Sequence, residues 1–235
     1  MQFPEPFVPA ILIKRYKRFL ADVRFMDGQE FTVHTPNTGT MLGCAQPGMK
    51  VWLRNTHNPK RKYLWSWEMS ETSDGVLIGV DTSLSNRLVV EAIETGVIHS
   101  LQGFEQLQTE VKYGTQNSRI DILLSNSDRQ HCYVEVKNVT AKRGEATAIF
   151  PDAVTQRGVK HLQELMHVVK QGARGVLVFC VQRGDVEMFS PADEIDPTYA
   201  QCLRQAAEQG VEVCAYRAEL TPQSAHLRTE LPIKL

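Results

Sequence analysis

The sequence predicts two folded units in series: a small N-terminal β-barrel of OB-like type and a C-terminal α/β domain. Two observations carry this expectation. Residues 7 to 82 read as short β segments separated by Gly and Asx turns, the spacing of a small barrel. From Ser83 onward helical periodicity alternates with apolar strand-like runs, the grammar of a sheet covered by helices. A length of 235 residues accommodates one or two domains, and 42% hydrophobic content supplies real cores. The expected division is 1–82 for an OB-like nucleic-acid-binding domain and 83–235 for the α/β domain.

In chain order, the β segments are PAILIKRYKRFLADVRF, QEFTVHT, MKVWLRNT, YLWSWEMSET and GVLIGVDT, with turns at Asp27-Gly28, PNTG and Asp74-Gly75. Phe31 and Val33, then Val51 and Leu53, alternate as a half-buried pleat requires. SLSNRLVVEAIETG sets Leu84, Leu88, Ala92 and Ile93 at helical spacing and stops at Gly96. Strands are expected at TEVKY, RIDILLS and CYVEVKNV. A helix follows in VTQRGVKHLQELMHVVKQG, with Val159, Leu162, Leu165, Met166 and Val169 on one face and Gly172 as its stop. The unbroken run GVLVFCVQ reads as a buried strand, and Asp196-Pro197 starts a helix that leads to a last strand, VEVCAYRA.

Composition excludes several classes. The N-terminal MQFPEPFVPA lacks the basic-then-apolar order of a signal peptide, and no stretch approaches membrane-spanning length. Five scattered cysteines without a C-x-x-C pair argue against a zinc site and a disulfide framework, so a reducing, cytoplasmic setting is expected. The net charge of -1 provides no global attraction to a polyanion, so a nucleic-acid site must come from local basic clusters. No Gly-rich nucleotide loop or nucleophile elbow appears, which removes the NTPase and serine hydrolase classes.

The chemistry concentrates in two apolar segments. Asp121 sits inside RIDILLS, while Glu135 and Lys137 flank Val136 in YVEVKNV and share one face of a strand. If the segments pair, two carboxylates and an ammonium converge. Asp121 and Glu135 would hold Mg²⁺ or Mn²⁺, and Lys137 would position the attacking water and offset charge on a phosphate. This D-xn-E-x-K order after a helix is the signature of the PD-(D/E)xK, restriction-endonuclease-like superfamily. The alternative is a surface hairpin with a cross-strand ion pair. Glu91 on the preceding helix is either a further acidic metal ligand or the partner of Arg87 four residues earlier. Arg157, Lys160, His161 and Glu164 fall at three- and four-residue spacing, as a phosphate clamp that assists the site (with Lys160 counted among its catalytic residues) or as a solvated helix face. A first Glu110-Val111-Lys112 lacks a carboxylate-bearing strand before it. Pro151-Asp152 follows the Glu-x-Lys element and so cannot supply the motif's acidic letters.

Two basic clusters with aromatics lie in the barrel unit: Lys14, Arg15, Tyr16, Lys17, Arg18 and Phe19, then Lys60, Arg61, Lys62, Tyr63, Trp65 and Trp67. Cations that track a backbone and rings that stack bases are how OB barrels bind strands. DNA without sequence preference is the expected partner and RNA stays open as a second; no membrane partner is expected. The alternative is that the aromatics fill the barrel while the cations are solvated. His34-Thr-Pro-Asn37-Thr-Gly39 reads as a turn.

KRYKRFLADV, HTPNTGTM, NTHNPKRKY, EVKYGTQNSRIDILL, CYVEVKNVT, FPDAVTQRGVKHLQEL and AEQGVEVCAYRAE together resemble the bacterial sugar fermentation stimulation protein A family across nearly the whole chain. The resemblance implies an OB-like domain, a PD-(D/E)xK domain, non-specific DNA binding and a regulatory part in maltose metabolism. The family's acidic and lysine positions match Asp121, Glu135 and Lys137. A metal-dependent nuclease, a non-catalytic DNA-binding regulator and a structural adaptor are the three functions compatible with these readings.

Overall fold

In the computed structural model, which describes residues 1–114, 118–127 and 130–235, the first β-rich stretch closes on itself. Strands β1 (Val8–Tyr16), β2 (Leu20–Phe25), β3 (Glu30–His34), β4 (Lys50–Asn55) and β5 (Trp65–Glu71) run in the order β3-β2-β1-β4-β5. A parallel pairing of His34 with Ser66 joins the two ends into the OB-like barrel that the sequence predicts. A short β6 (Leu77–Gly79) extends β5 toward the second domain. The segment PAILIKRYKRFLADVRF forms two strands because Lys17 and Arg18 take φ of 50° and 62° and reverse the chain. Alternate side chains (Leu12, Val23, Val33, Val51, Leu53) and the Trp67 ring are buried inside, each worth about 1.5–3 kcal/mol on transfer from water.

The second domain begins where Asp81 caps helix α1 (Thr82–Glu94), its carboxylate accepting from Ser83 N at 2.8 Å. Then come β7 (Gln106–Tyr113), β8 (Ser118–Ser125), β9 (Cys132–Val139), β10 (Ala141–Arg143), β11 (Thr147–Phe150) and helix α2 (Gln156–Lys170). The chain finishes with β12 (Arg174–Val181), β13 (Met188–Pro191), helix α3 (Pro197–Glu208), β14 (Glu212–Leu220) and β15 (Ala225–Leu231). The main sheet has the order β15-β14-β12-β9-β8-β7, with β12 parallel to both β9 and β14. Helix α1 covers one face through Leu84, Leu88 and Val89, whereas α2 and α3 cover the other through Leu162, Leu165 and Leu203. Strand β12 is therefore buried on both sides, which is why its sequence is apolar without alternation.

Four strands are absent from the sequence reading. Strands β10, β11 and β13 form a separate small sheet and have only three or four residues each, too few to show a period. In β15 the buried Ala225, Leu227 and Leu231 are separated by exposed Arg228, Thr229 and Glu230, which hides the edge strand. Residues before β1 run along the turn between β14 and β15, with Phe3 N and Phe7 N donating to the carbonyls of Gln223 and Pro222. All five cysteines are free thiols. Among the described residues no helix is long and apolar enough to cross a membrane.

Candidate functional site

Strands β8 and β9 pair antiparallel through Leu124↔Cys132, Leu123↔Tyr133 and Ile122↔Val134. One further step in that register sets Asp121 opposite Glu135, and there the ladder opens. The Asp121 carboxylate takes the place of a backbone acceptor: its Oδ2 accepts the Val136 N–H at 2.7 Å, and its Oδ1 accepts Asn86 Nδ2 of α1 at 2.9 Å. The strands are thus held apart by a side chain, leaving a wedge-shaped opening at the sheet's end.

Glu135 is 2% exposed, and its two oxygens differ. Oε1 accepts Lys137 Nζ at 2.7 Å and is hydrogen-bonded to His161 Nδ1. Oε2 is buried without a hydrogen-bond partner among the described residues. Lys137 Nζ also lies 3.1 Å from His161 Nδ1, and Arg157 Nε donates to His161 Nε2 at 3.3 Å. An imidazole that accepts at Nε2 carries its proton on Nδ1, so the network assigns the Nδ1–H to Glu135. Burial and then the charge of Glu135 push the Asp121 carboxyl up, against the hydrogen bonds from Val136 and Asn86. Burial also pushes Glu135 up, but Lys137 and His161 outweigh it and hold that carboxyl below its ordinary value. Two neighbouring carboxyls driven in opposite directions are a mark of acid–base or metal chemistry.

These groups face a cavity of about 360 Å³, lined by Asp121, Glu135, Lys137, Arg157 and His161 together with Asn37, Thr38, Gly39, Ser85, Asn86 and Asp152. The barrel supplies one wall. Its loop after β3, read from sequence as a simple turn, is tied to α1 by Thr82 Oγ1 donating to Pro36 O at 3.2 Å. At its other end Thr40 Oγ1 and Met41 N each donate to Asp152 Oδ2 at 2.9 Å. The packing at Gly39 is close, since a Cβ would stand 3.0 Å from Asp152 Oδ2 and that carboxylate would have to shift. Asp152 thus lines the site although it contributes nothing to the motif's letters. Arg15, expected to contact phosphate, instead fastens this loop: Nη2 donates to the carbonyls of Arg18, Asn37 and Gly39 at 2.8, 2.9 and 2.9 Å. A guanidinium with those acceptors is a strut.

Several other expected residues stand apart from the cavity. Glu91 does not line it; the carboxylate takes the Met1 amine at 2.6 Å and His226 at 3.2 Å, because α1 turns its later residues away from the sheet opening. Lys160 is half-buried, and its neighbour His161 is the residue that helix geometry aims at Glu135. Lys14 pairs with Asp22 at 3.4 Å on the barrel surface. His161 and Glu164 are both buried, so the solvated-face alternative fails for them. Lys17 and Arg18 project from an exposed turn, as do Lys60, Arg61 and Lys62. His34, Arg61, Lys62 and Tyr63 surround a second cavity of about 240 Å³, where burial and the Arg61 charge lower the His34 imidazole. Trp67 belongs to the barrel core and Trp65 packs against Phe25 and Phe31.

Sequence reasoning missed the residues that support this geometry. Gln182, fully buried, donates through Nε2 to Asn138 Oδ1 at 2.7 Å, Ser85 Oγ at 3.1 Å and Asp81 O at 3.2 Å, which fixes the start of α1 against β9. A Cβ on Gly79 would meet Gln182 Oε1 at 2.2 Å, so only glycine fits beside it. Ser85 offered a signal, being a polar residue four before Val89 on the buried stripe. Asn86 and Gln182 offered none, since their partners are distant in sequence.

Two family models match the chain: the SfsA N-terminal OB domain over residues 13–80, and the sugar fermentation stimulation protein RE domain over residues 83–224. The sugar fermentation stimulation protein homolog of Thioalkalivibrio sulfidiphilus is 54% identical over 235 residues, covering 100% of this chain and 98% of the relative. The homolog from Geobacter metallireducens is 52% identical with 100% of both chains covered. Among solved structures, Pyrococcus furiosus SfsA in complex with Ca²⁺ aligns with a TM-score of 0.89 at 28% identity, over 100% of this chain and 98% of that one.

Proposed function

The chain belongs to the sugar fermentation stimulation protein family, and on that premise we propose that its cleft is a divalent-cation-dependent phosphodiesterase site acting on DNA without sequence preference. The observation that carries this reading is the unpaired Glu135 Oε2, buried beside Asp121 in the cavity that also holds Lys137. A buried carboxylate oxygen without a donor is costly unless a ligand completes it. Among the described residues no three acidic, His or Cys side chains cluster as a full cation cage. Two carboxylates suit Mg²⁺ or Mn²⁺ nonetheless, because Mg²⁺ keeps several waters and takes one or two carboxylates plus substrate phosphate oxygens. The Ca²⁺ complex of the Pyrococcus furiosus relative supports a divalent cation here.

Bound at Asp121 and Glu135, such a cation supplies Lewis acidity at the phosphate and acidity to water. The residues of the chain do the rest. Lys137 Nζ, held by Glu135 Oε1, stands where it orients the attacking water and offsets charge on the phosphate. His161, donating its Nδ1–H, holds Glu135 in place beside Lys137, and Arg157, exposed at the rim, keeps donors free for a flanking phosphate. Lys17, Arg18, Lys60, Arg61 and Lys62 would bind the DNA backbone.

The test is incubation of the purified chain with single- and double-stranded DNA in Mg²⁺, Mn²⁺ or chelator. Cleavage that needs the cation is expected, together with binding that weakens steeply with salt as phosphate contacts release counterions. Binding without cleavage under either metal would replace this reading with that of a non-catalytic DNA-binding regulator.

A further inference from the structure

The cleft has a fixed wall on the barrel side. Helices α1 and α2 cover opposite faces of the sheet, and the loop from Pro36 to Met41 is tied to both sides of its open end, to Thr82 at the start of α1 and to Asp152 ahead of α2. Arg15 fastens the loop to the barrel from below, and Asn37 Oδ1 accepts Gly39 N at 2.8 Å within it. The cavity, about 360 Å³ and open to solvent on one side, equals a cube about 7 Å on a side. That is room for one nucleotide unit. A B-form duplex, whose major groove alone is about 12 Å wide, cannot enter a space of that width whole, whereas one strand can pass along the Pro36–Met41 loop.

A second space lies along the same segment of chain. His34 borders the cavity formed with Arg61, Lys62 and Tyr63, and Asn37, three residues on, borders the cleft. Three residues of extended chain span at most about 11 Å, so the cavities are neighbours. One offers an aromatic ring and two cations; the other offers carboxylates and a lysine.

Resting on the phosphodiesterase reading for the role of the cleft, we infer that the DNA it takes is a single strand, passing along the Pro36–Met41 loop with the adjoining nucleotide in the barrel cavity. Its base stacks on Tyr63 and its phosphate meets Arg61 and Lys62. An unpaired strand has both the exposed ring face and the flexible backbone that this path needs.

The experiment measures fluorescence anisotropy of the full chain with a labelled twelve-nucleotide oligothymidine and with its duplex, in Ca²⁺ in place of Mg²⁺, while cleavage is read separately in Mg²⁺ and Mn²⁺. The single strand should bind about tenfold tighter or better than the duplex. The double variant Arg61→Ala/Tyr63→Ala should weaken single-strand binding about tenfold and duplex binding by only the roughly two- to threefold that one lost phosphate contact costs. Asp152→Ala, which unties the loop, should narrow the gap by admitting the duplex. Equal affinity for the two forms, or equal losses for both in the double variant, would overturn the inference. Single-strand preference without cleavage in either metal would uphold it and remove the hydrolytic reading. Equal cleavage of duplex and single strand would do the reverse.

Discussion

The tripeptide Glu-Val-Lys occurs at residues 110–112 and again at 135–137, and the two copies occupy opposite environments. The first lies on β7, the outer strand of the main sheet, where Glu110 and Lys112 are exposed and Glu110 takes φ of 57°. The second lies on β9 between β8 and β12, with Glu135 buried and Lys137 bonded to it. Identical letters differ in what neighbours them: an edge strand solvates its charges, whereas an inner strand must pair them or leave them for a ligand.

Glu135 should show the largest effect. Glu135→Gln keeps the volume but weakens cation binding, so metal-dependent cleavage should fall about a thousandfold or more. Glu135→Ala should also destabilise the fold by about 3 kcal/mol, because it leaves Lys137 without its buried partner. Glu110→Ala should change stability by no more than about 0.5 kcal/mol. Comparable losses at the two positions, read by initial rates and urea melts, would collapse the distinction. Lys137 comes next. Lys137→Ala should lower kcat by about two to four orders of magnitude while DNA affinity stays within a few-fold of wild type. Ca²⁺ should bind this variant at least as well, since the cation no longer competes with an ammonium for Glu135. Lys112→Ala should do none of this, and a Lys137→Ala variant that cleaves as wild type does would remove the lysine from the proposed mechanism.

Another buried glutamate asks whether burial or partners set the direction of a shift. Glu68 on β5 is 3% exposed and accepts Arg54 Nε at 3.0 Å, yet burial and then the charge of Asp81 push it up to about 7. Glu135, equally buried, is held low by Lys137 and His161. A carboxyl raised in the folded state contributes stability that is fully present below its unfolded value of 4.5 and is lost as pH rises through about 7. Between those limits wild type should lose about 1–2 kcal/mol, or about 4 °C in Tm, that Glu68→Gln does not lose. Parallel Tm–pH curves for the two would show that neither burial nor Asp81 raises Glu68.

The barrel, the helices and the central strands were legible because each advertises itself locally. Gly96 and Gly172 end α1 and α2, Asp196-Pro197 starts α3, and the apolar run of β12 declares a strand covered on both faces. Asp121, Glu135 and Lys137 were legible as charges inside apolar strands. What stayed hidden depends on distant contacts. Arg15 reads as a phosphate ligand until the Asn37 and Gly39 carbonyls surround it, and Glu91 reads as a metal ligand until α1 points it at His226. The wall made by Asn37 to Gly39 and Asp152 exists only once barrel and sheet are docked, more than a hundred residues apart in sequence. Periodicity carries no information about such pairs.

The smallest effect concerns the carboxylate that opens the strands. Asp121 is raised by burial and by Glu135, so its ionised form is a cost that the metal-free protein carries at neutral pH. The sign follows from the raised value: stability from this group is present below its ordinary value of 3.8 and is lost as pH rises through the folded one. Asparagine removes the charge and keeps the wedge, since its Oδ1 can still accept Val136 N while its amide turns toward Asn86, whose own amide rotates to accept. Asp121→Asn should therefore melt about 2–4 °C above wild type without metal at pH 7, as functional sites often trade about 1 kcal/mol of stability for chemistry. Near pH 3 the gain should vanish. The rise in Tm that Ca²⁺ gives wild type should also disappear, because one of the two oxygen ligands is lost. If the variant melts below wild type at both pH values, Asp121 serves as a structural wedge whose charge is satisfied by Asn86 and Val136 alone. A gain at neutral pH coupled to loss of the Ca²⁺ response would assign the charge on β8 to the cation and only the hydrogen bonds to the fold.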